Sequence, residues 1–368
     1  MRGLDQQDRS VCAPGEGKAD TAADVSNGTQ DGTQEFAKLG LVVIGRNEGQ
    51  RLGRCLASLR GIPNVIYVDS GSTDGSVELA HKFGTFVMEL CTPPLYTAAR
   101  ARNEGLAKLL SIDPNLEFVQ MIDGDCEVQP GWLKAALASL KADEGLAAVF
   151  GRVRERNPEQ SIYKSLCDDE WNVPVGEASG CGGNTCFRIM ALKQVGLFNI
   201  SLIAGEEPEL AMRMREAGWR LLRIDREMMI HDIAITRFRQ WWDRTRRSGH
   251  AYAEVSHMHP NIRISDWPRT ARSIVAWGGV APVMFLISVA FAITMDHWWW
   301  ALAVLLIILW PLKMVQIALR QRRRGLPIKV AIASGVFLMI GKFPQFLGLM
   351  SYHRSRLWGK PSQLIEYR

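Results

Sequence analysis

The chain has 368 residues, is 47% hydrophobic and carries a net charge of +6, with a pI near 9.0. That hydrophobic content supports a folded core, and the length allows one large domain or two of ordinary size. The positive surplus suits an anionic partner, either a membrane face or a phosphorylated ligand, and argues against nucleic acid because no nucleic-acid recognition motif accompanies it.

Residues 1–37 are polar, rich in Gly, Asp, Gln and Thr, and show no apolar period, which predicts a flexible N-terminal tail. No apolar core of signal-peptide length stands near Met1. From residue 39 the pattern changes. Leu41-Val42-Val43-Ile44 predicts a buried strand closed by Gly45, and Leu52, Cys55, Leu56 and Leu59 predict a helix over 51–59. A strand over 65–68 and a helix over 76–83 follow, then strand 85–89, helix 98–110 and strand 118–122. Helix 132–140 and strand 147–153 continue the alternation, which predicts an α/β fold with a largely parallel sheet and helices on both faces.

The loops between these elements hold the chemistry. Gly45-Arg46-Asn47-Glu48 follows the first strand, and Asp69-Ser70-Gly71-Ser72-Thr73-Asp74 follows the second. Asp69 at a strand tip can accept hydrogen bonds from a base or ribose beside a Gly/Ser turn that admits a ligand. Equally, the segment is a strand-to-helix turn capped by Ser72 or Asp74. Arg100 and Arg102 open the next helix, where guanidinium groups can pair with Asp123 or with a diphosphate, or simply form a solvated face. The strand at 118–122 ends in Asp123-Gly124-Asp125. Two carboxylates at the carboxyl edge of a sheet repel each other unless a cation lies between them, and oxygen ligands suit magnesium or manganese; an ordinary turn is the plain alternative.

Further on, Ser179-Gly180-Cys181-Gly182-Gly183-Asn184 is too glycine-rich for a strand interior and predicts a loop of close backbone approach. Glu206-Glu207-Pro208 opens a helix, where acidic groups also suit the macrodipole. His231-Asp232 follows the run Met228-Met229-Ile230, a setting in which a lone histidine is as readily structural as a ligand. The seven cysteines include no Cys-x-x-Cys pair and are expected to be reduced, mostly buried small residues.

The last third is of another kind. Residues 273–295 carry no charge over about 23 positions, and 298–319 form a second apolar stretch broken only late by Lys313 and Gln316. The basic block Arg320, Arg322, Arg323 and Arg324 predicts that both ends of this hairpin, and the domain before it, face the cytosol. Residues 328–350 contain Lys329, Lys342 and Pro344 and are followed by Arg354, Arg356 and Lys360, which fits an interfacial or re-entrant helix better than a span. The expected division is therefore a tail at 1–37, a catalytic domain at 38–250, and a linker with membrane region at 251–368.

Taken together, Gly45-Arg46-Asn47-Glu48, Val68 to Asp74, Ala101-Arg102-Asn103-Glu104-Gly105 and Asp123-Gly124-Asp125 resemble the nucleotide-binding half of a family 2 glycosyltransferase. The loop Gly180 to Gly183, the pair Glu206-Glu207 and His231 resemble its acceptor half, so the resemblance covers about residues 39–250. It implies a GT-A fold, Rossmann-like with a mostly parallel sheet flanked by helices, followed here by a helical membrane region. It implies a nucleotide-sugar donor bound by Gly45, Arg46, Asn47, Glu48, Asp69, Ser70, Arg102, Asp123, Gly182 and Gly183. A divalent cation, Mn2+ or Mg2+, would be held by Asp125, Asp123 and His231. In the acidic pair, Glu207 matches the family's usual aspartate base, with Glu206 the other candidate. The activity implied is inverting transfer to a lipid-linked or saccharide acceptor by an enzyme of the inner membrane with a cytoplasmic catalytic domain. The order Arg237-Phe238-Arg239-Gln240-Trp241-Trp242 only partly matches the Gln-x-x-Arg-Trp signature of processive synthases, so addition of a single sugar is expected, with the Trp pair at the bilayer interface. A sugar-nucleotide nucleotidyltransferase would share the sheet and carboxylates, but it needs a lysine-bearing glycine loop that Gly45 to Glu48 does not supply. A catalytically silent sugar-nucleotide binding protein is the remaining alternative.

Overall fold

The computed structural model describes residues 35–92, 96–260 and 267–359; residues 1–34, where most of the expected tail falls, lie outside the described residues. The first apolar run forms β1 (Leu39–Gly45), buried on both faces as a strand covered by helices on two sides must be. Helix α1 (Gln50–Ala57) turns Leu52, Cys55 and Leu56 to the core. It leads to β2 (Val65–Asp69), and α2 (Ser76–Lys82) leads to the edge strand β3 (Phe86–Glu89). Helix α3 (Ala98–Ile112) is capped by Thr97, whose side chain accepts the Arg100 N–H, and it precedes β4 (Phe118–Asp123). β1 pairs in parallel with both β2 and β4, and β2 with β3. The register sets Gly45 against Asp69 and Ile44 against Asp123, so the three loops after β1, β2 and β4 emerge at one edge.

The second half is mixed. β5 (Cys126–Val128) and α4 (Trp132–Ala142) precede β6 (Leu146–Glu155). Helix α5 (Ile162–Glu170), β7 (Gly176–Glu177), β8 (Cys186–Arg188), α6 (Ile189–Gln194), α7 (Glu206–Glu216) and β9 (Arg220–His231) complete the domain. Among the described residues the strand order is β3-β2-β1-β4-β8-β6-β9-β5, with β7 on β9. Here β8 is antiparallel to β4 and β6, β9 is parallel to β6, and β5 and β7 are antiparallel to β9. The parallel half therefore follows the predicted alternation, while the other half departs from it. One core lies under α1 and α4, around Leu52, Leu56, Trp132 and Leu137, and the other under α3, α6 and α7, around Leu106, Leu192, Leu210 and Met214. Cys55, Cys126, Cys167, Cys181 and Cys186 are free thiols as expected, whereas Cys91, on the loop after edge strand β3, is disulfide-bonded.

Helix α8 (Phe238–Met258) joins this domain to the apolar region. There α9 (Trp267–Val275) runs through a π-helical turn at Ala276–Val280 into α10 (Ala281–Thr294), followed by α11 (Trp298–Arg323), α12 (Ile328–Ile340) and α13 (Lys342–Leu357). Among the described residues three stretches, Trp267–Thr294, Trp298–Arg323 and Ile328–Leu357, are long and apolar enough to cross a membrane. The third, expected as interfacial, reaches that length as two helices meeting at Gly341, and α13 packs along α8. The two helices touch backbone to backbone, because a Cβ at Gly249 would run into the Gln345 carbonyl and one at Gly348 into that of Arg246. The start of α8 packs on α12 as well. Trp241 is buried with Cys167, Ile233 and Ile235, and Phe337 and Ile340 of α12 close over it. Gln240 accepts from the backbone N–H groups of Thr236 and Arg237 and so starts α8.

Candidate active site

At the sheet edge the loop after β1 is tied to the loop after β2. Asn47, at φ 57°, donates its backbone N–H to Ser72 Oγ (2.9 Å), and its side-chain oxygen accepts from Thr73 N (2.8 Å). Ser70 N donates to Gly45 O at 3.0 Å. Asp69 is buried, and its oxygens accept from Tyr67 Oη (2.7 Å) and Ser72 N (2.7 Å), so the carboxylate shapes this loop from within. Glu48 is also buried, 2.9 Å from Arg51, and the Arg46 guanidinium lies over the Tyr96 ring at 5.6 Å.

The centre of the site is Arg102. Its position on α3 carries it inward until only 2% of the side chain is exposed, and it meets three carboxylates there. Nη2 donates to Asp123 Oδ1 at 3.0 Å, while Nη1 lies 3.2 Å from Glu206 Oε1 and 3.0 Å from Glu207 Oε1. Of the two partners expected for this arginine, the structure brings up Asp123, and it adds both glutamates. Burial works against the guanidinium charge, but Glu207, Asp123 and Glu206 outweigh it and hold the pKa above the usual arginine value. One cation facing three acids leaves negative charge over. Burial, and then Glu206, push Glu207 up to about 7, against the opposing pull of Arg102. Glu206 is the more enclosed of the pair, with 7% of its side chain exposed against 17% for Glu207.

Two neighbours fix this cluster. Asn184 donates Nδ2 to Asp123 Oδ2 (3.1 Å) and accepts the Asp123 N–H (2.8 Å), which locks the end of β4 to the start of β8. Asn184 has this role although sequence reasoning assigned it none; its only signal was its place directly after the glycine loop. Gly183 presses on the acids. A Cβ there would overlap Arg102 and stand 3.0 Å from both Asp123 Oδ2 and Glu207 Oε1, whereas Gly182 has open space beside it. Gly183→Ala is therefore expected to lower turnover roughly 10- to 100-fold, the scale of an ångström's misplacement in a reacting site. Steady-state kinetics beside an unchanged far-UV circular dichroism spectrum would check it.

Asp125 and His231 meet through strand register. β5 and β9 pair Cys126 with His231, which sets His231 Nε2 3.2 Å from Asp125 Oδ1. Asp125, Cys126 and His231 present donor atoms within 4.8 Å of one another, while Asp123 turns to Arg102 and Asn184. Burial opposes a charge on His231, but Asp125, Asp123 and Glu155 raise its pKa above the usual histidine value. Burial and the same two aspartates push the Cys126 thiol well up, so it stays protonated and offers no thiolate. A carboxylate beside an imidazole, with His231 Nδ1 buried and lacking a hydrogen-bond partner among the described residues, is a donor set that fits a divalent cation.

Residues 41–187 match the family model described as Glycosyl transferase family 2. The pre-mycofactocin glycosyltransferase of Mycobacterium tuberculosis is 29% identical over 262 residues, covering 68% of this chain and 52% of that protein. Glycosyltransferase AglE of Haloferax volcanii is 26% identical over 189 residues, 48% of this chain and 60% of that protein. The chain thus spans little more than half the length of the curated relatives it matches. Among solved structures, the mannosyltransferase PcManGT of Pyrobaculum calidifontis, in complex with GDP-Man and Mn2+, aligns over 88% of both chains with a TM-score of 0.50 at 16% identity, a likeness of fold.

Proposed function

We propose that this chain, whose residues 41–187 match the family 2 glycosyltransferase model, is a glycosyltransferase that moves one sugar, with inversion, from a nucleotide-sugar donor to a lipid-linked or envelope saccharide. The observation that carries the reading is Glu207. It is a partly exposed carboxylate raised to about 7, standing 3.0 Å from Arg102 in a cluster that also holds Asp123.

In this reading the tied loops of Gly45, Arg46, Asn47, Glu48, Asp69 and Ser70 receive the nucleoside, and the edge at Asp123 and Gly183 receives the diphosphate and sugar. Asp125 and His231 hold the cation, Mn2+ in preference to Mg2+ on the strength of the imidazole. When bound, it offsets the negative charge that gathers on the departing diphosphate. Glu207 takes the proton from the acceptor hydroxyl as that oxygen attacks the sugar carbon opposite the leaving group. Glu206 and Asp123 hold Arg102, and Arg102 in turn keeps Glu207 aimed. One base on the face opposite the leaving group means a single displacement and an inverted product. A pKa near the working pH lets the carboxylate be ionised beforehand and still accept the proton readily.

The pH profile of kcat/KM tests this assignment. A raised acid pKa leaves Glu207 protonated, and unable to act as base, below it, so activity should rise with pH to a plateau with a midpoint at about 7. A flat profile from about pH 5 to about pH 9 would contradict the assignment. The catalytic domain at 38–250 is set on the cytoplasmic face of the inner membrane in this reading, held by the region at 251–368. Support comes from the basic cluster Arg320, Arg322, Arg323 and Arg324 at the end of α11.

A further inference from the structure

We propose a second site: a phospholipid with an anionic headgroup binds in the cavity between α8, α9 and α13, on the face of α8 turned away from the catalytic carboxylates. The cavity has a volume of about 530 Å³, within the range of small-molecule sites. On α8, Ala251 and Val255 face Gly205, the residue that starts α7 and so precedes Glu206-Glu207; a Cβ at Gly205 would lie 3.1 Å from the Ala251 Cβ. Ala253, Ser256 and His257 line the cavity, and at 100° per residue they point to the opposite side of the helix. The occupant is therefore separated from the reacting groups by the width of a helix and is not the sugar acceptor.

Helix directions sort the lining. α9 and α13 run oppositely, since Gly278 meets Lys342 and Phe346 while Ile274 clusters with Leu349 and Tyr352. α8 and α13 run the same way, with Gly249 at Gln345 and Ala253 clustered with Leu349 and Tyr352. Arg272, His257 and His353 consequently gather at one end of the cavity, and Ala276 and Val280 follow toward the apolar stretch. No carboxylate lines the cavity. Ser256 adds a small polar residue to the wall. The π-helical turn at Ala276–Val280 forms part of the wall, a distortion that recurs at functional sites. One guanidinium, Arg272, with the imidazole N–H donors of His257 and His353, above an apolar slot at the start of a membrane-length helix, matches a phosphate diester whose chains continue into the bilayer.

The test is native mass spectrometry of the full-length protein in detergent, titrated with phosphatidylglycerol or phosphatidylcholine. One phosphatidylglycerol should be retained per chain and phosphatidylcholine should not. The double variant Arg272→Gln with His353→Gln should weaken retention at least about tenfold, roughly 1.4 kcal/mol. Arg272→Lys, which keeps the charge, and Arg320→Gln, an exposed basic position outside the cavity, should bind like the parent. Equal retention of both lipids, or unchanged binding by the folded double variant, would overturn the proposal. So would displacement of phosphatidylglycerol by an equal concentration of inorganic phosphate, which would assign the site to a soluble anion.

Discussion

Glu207→Gln is expected to lower sugar transfer by about 10³-fold, within the 10²- to 10⁴-fold span of general-base catalysis, while nucleotide-sugar affinity changes by no more than a few-fold. The amide keeps the shape of the side chain and can still meet the Arg102 Nη1 now 3.0 Å away, but it cannot take a proton from the acceptor. The positive charge of Arg102 remains matched by Asp123 and Glu206, so the site should stay assembled. Single-turnover kinetics and donor titration on one preparation would separate the two quantities. Undiminished turnover would remove Glu207 from the role. Glu206→Gln divides the acidic pair: Glu206 is the more enclosed partner of Arg102, and its loss should act mainly on thermal stability, with a smaller effect on turnover.

The second large effect is expected at the cation site. Asp125→Asn removes the one carboxylate beside His231 Nε2, 3.2 Å away, and leaves imidazole and a protonated thiol as the remaining donors of the cluster. Loss of a supporting residue around a metal commonly costs 10- to 100-fold in affinity, so removal of a direct carboxylate ligand should cost at least about 100-fold. Mn2+ titration followed by electron paramagnetic resonance reads this without turnover. Equal Mn2+ affinity in the variant and the parent would show that Asp125 is not a ligand.

The parts of the molecule that were legible in sequence share a physical reason. β1, β2 and β4 are buried on both faces, so they read as unbroken apolar runs, and their parallel pairing carries the loops at Gly45, Asp69 and Asp123 to one edge. β5 and β8 are three residues each, too short to display any period, and β9 mixes Arg220, Arg223, Asp225, Arg226 and Glu227 with its apolar positions. Of the mixed half only β6 was legible; β5, β8 and β9 remained invisible, and with them the Cys126–His231 register that brings Asp125 to its histidine. Spacing along the chain also could not reveal that Arg102 joins Asp123 to Glu206 and Glu207. That depends on how α3 and α7 meet across the sheet edge, a tertiary fact with no local signature. Nor could spacing show that Phe337 and Ile340, far along the chain, cover Trp241.

The most direct test of a metal-dependent sugar-transfer site is thermal unfolding of the full-length protein against a panel of nucleotide sugars, with and without Mn2+. Ligand that binds only the folded state raises Tm, by about 2.7 kcal/mol of stability at a hundredfold excess over Kd. One donor should raise Tm when Mn2+ is present and leave it unchanged when the metal is chelated, and Asp125→Asn should abolish the difference. A donor that stabilises the protein equally without metal, or a panel in which no nucleotide sugar shifts Tm at all, would contradict the account.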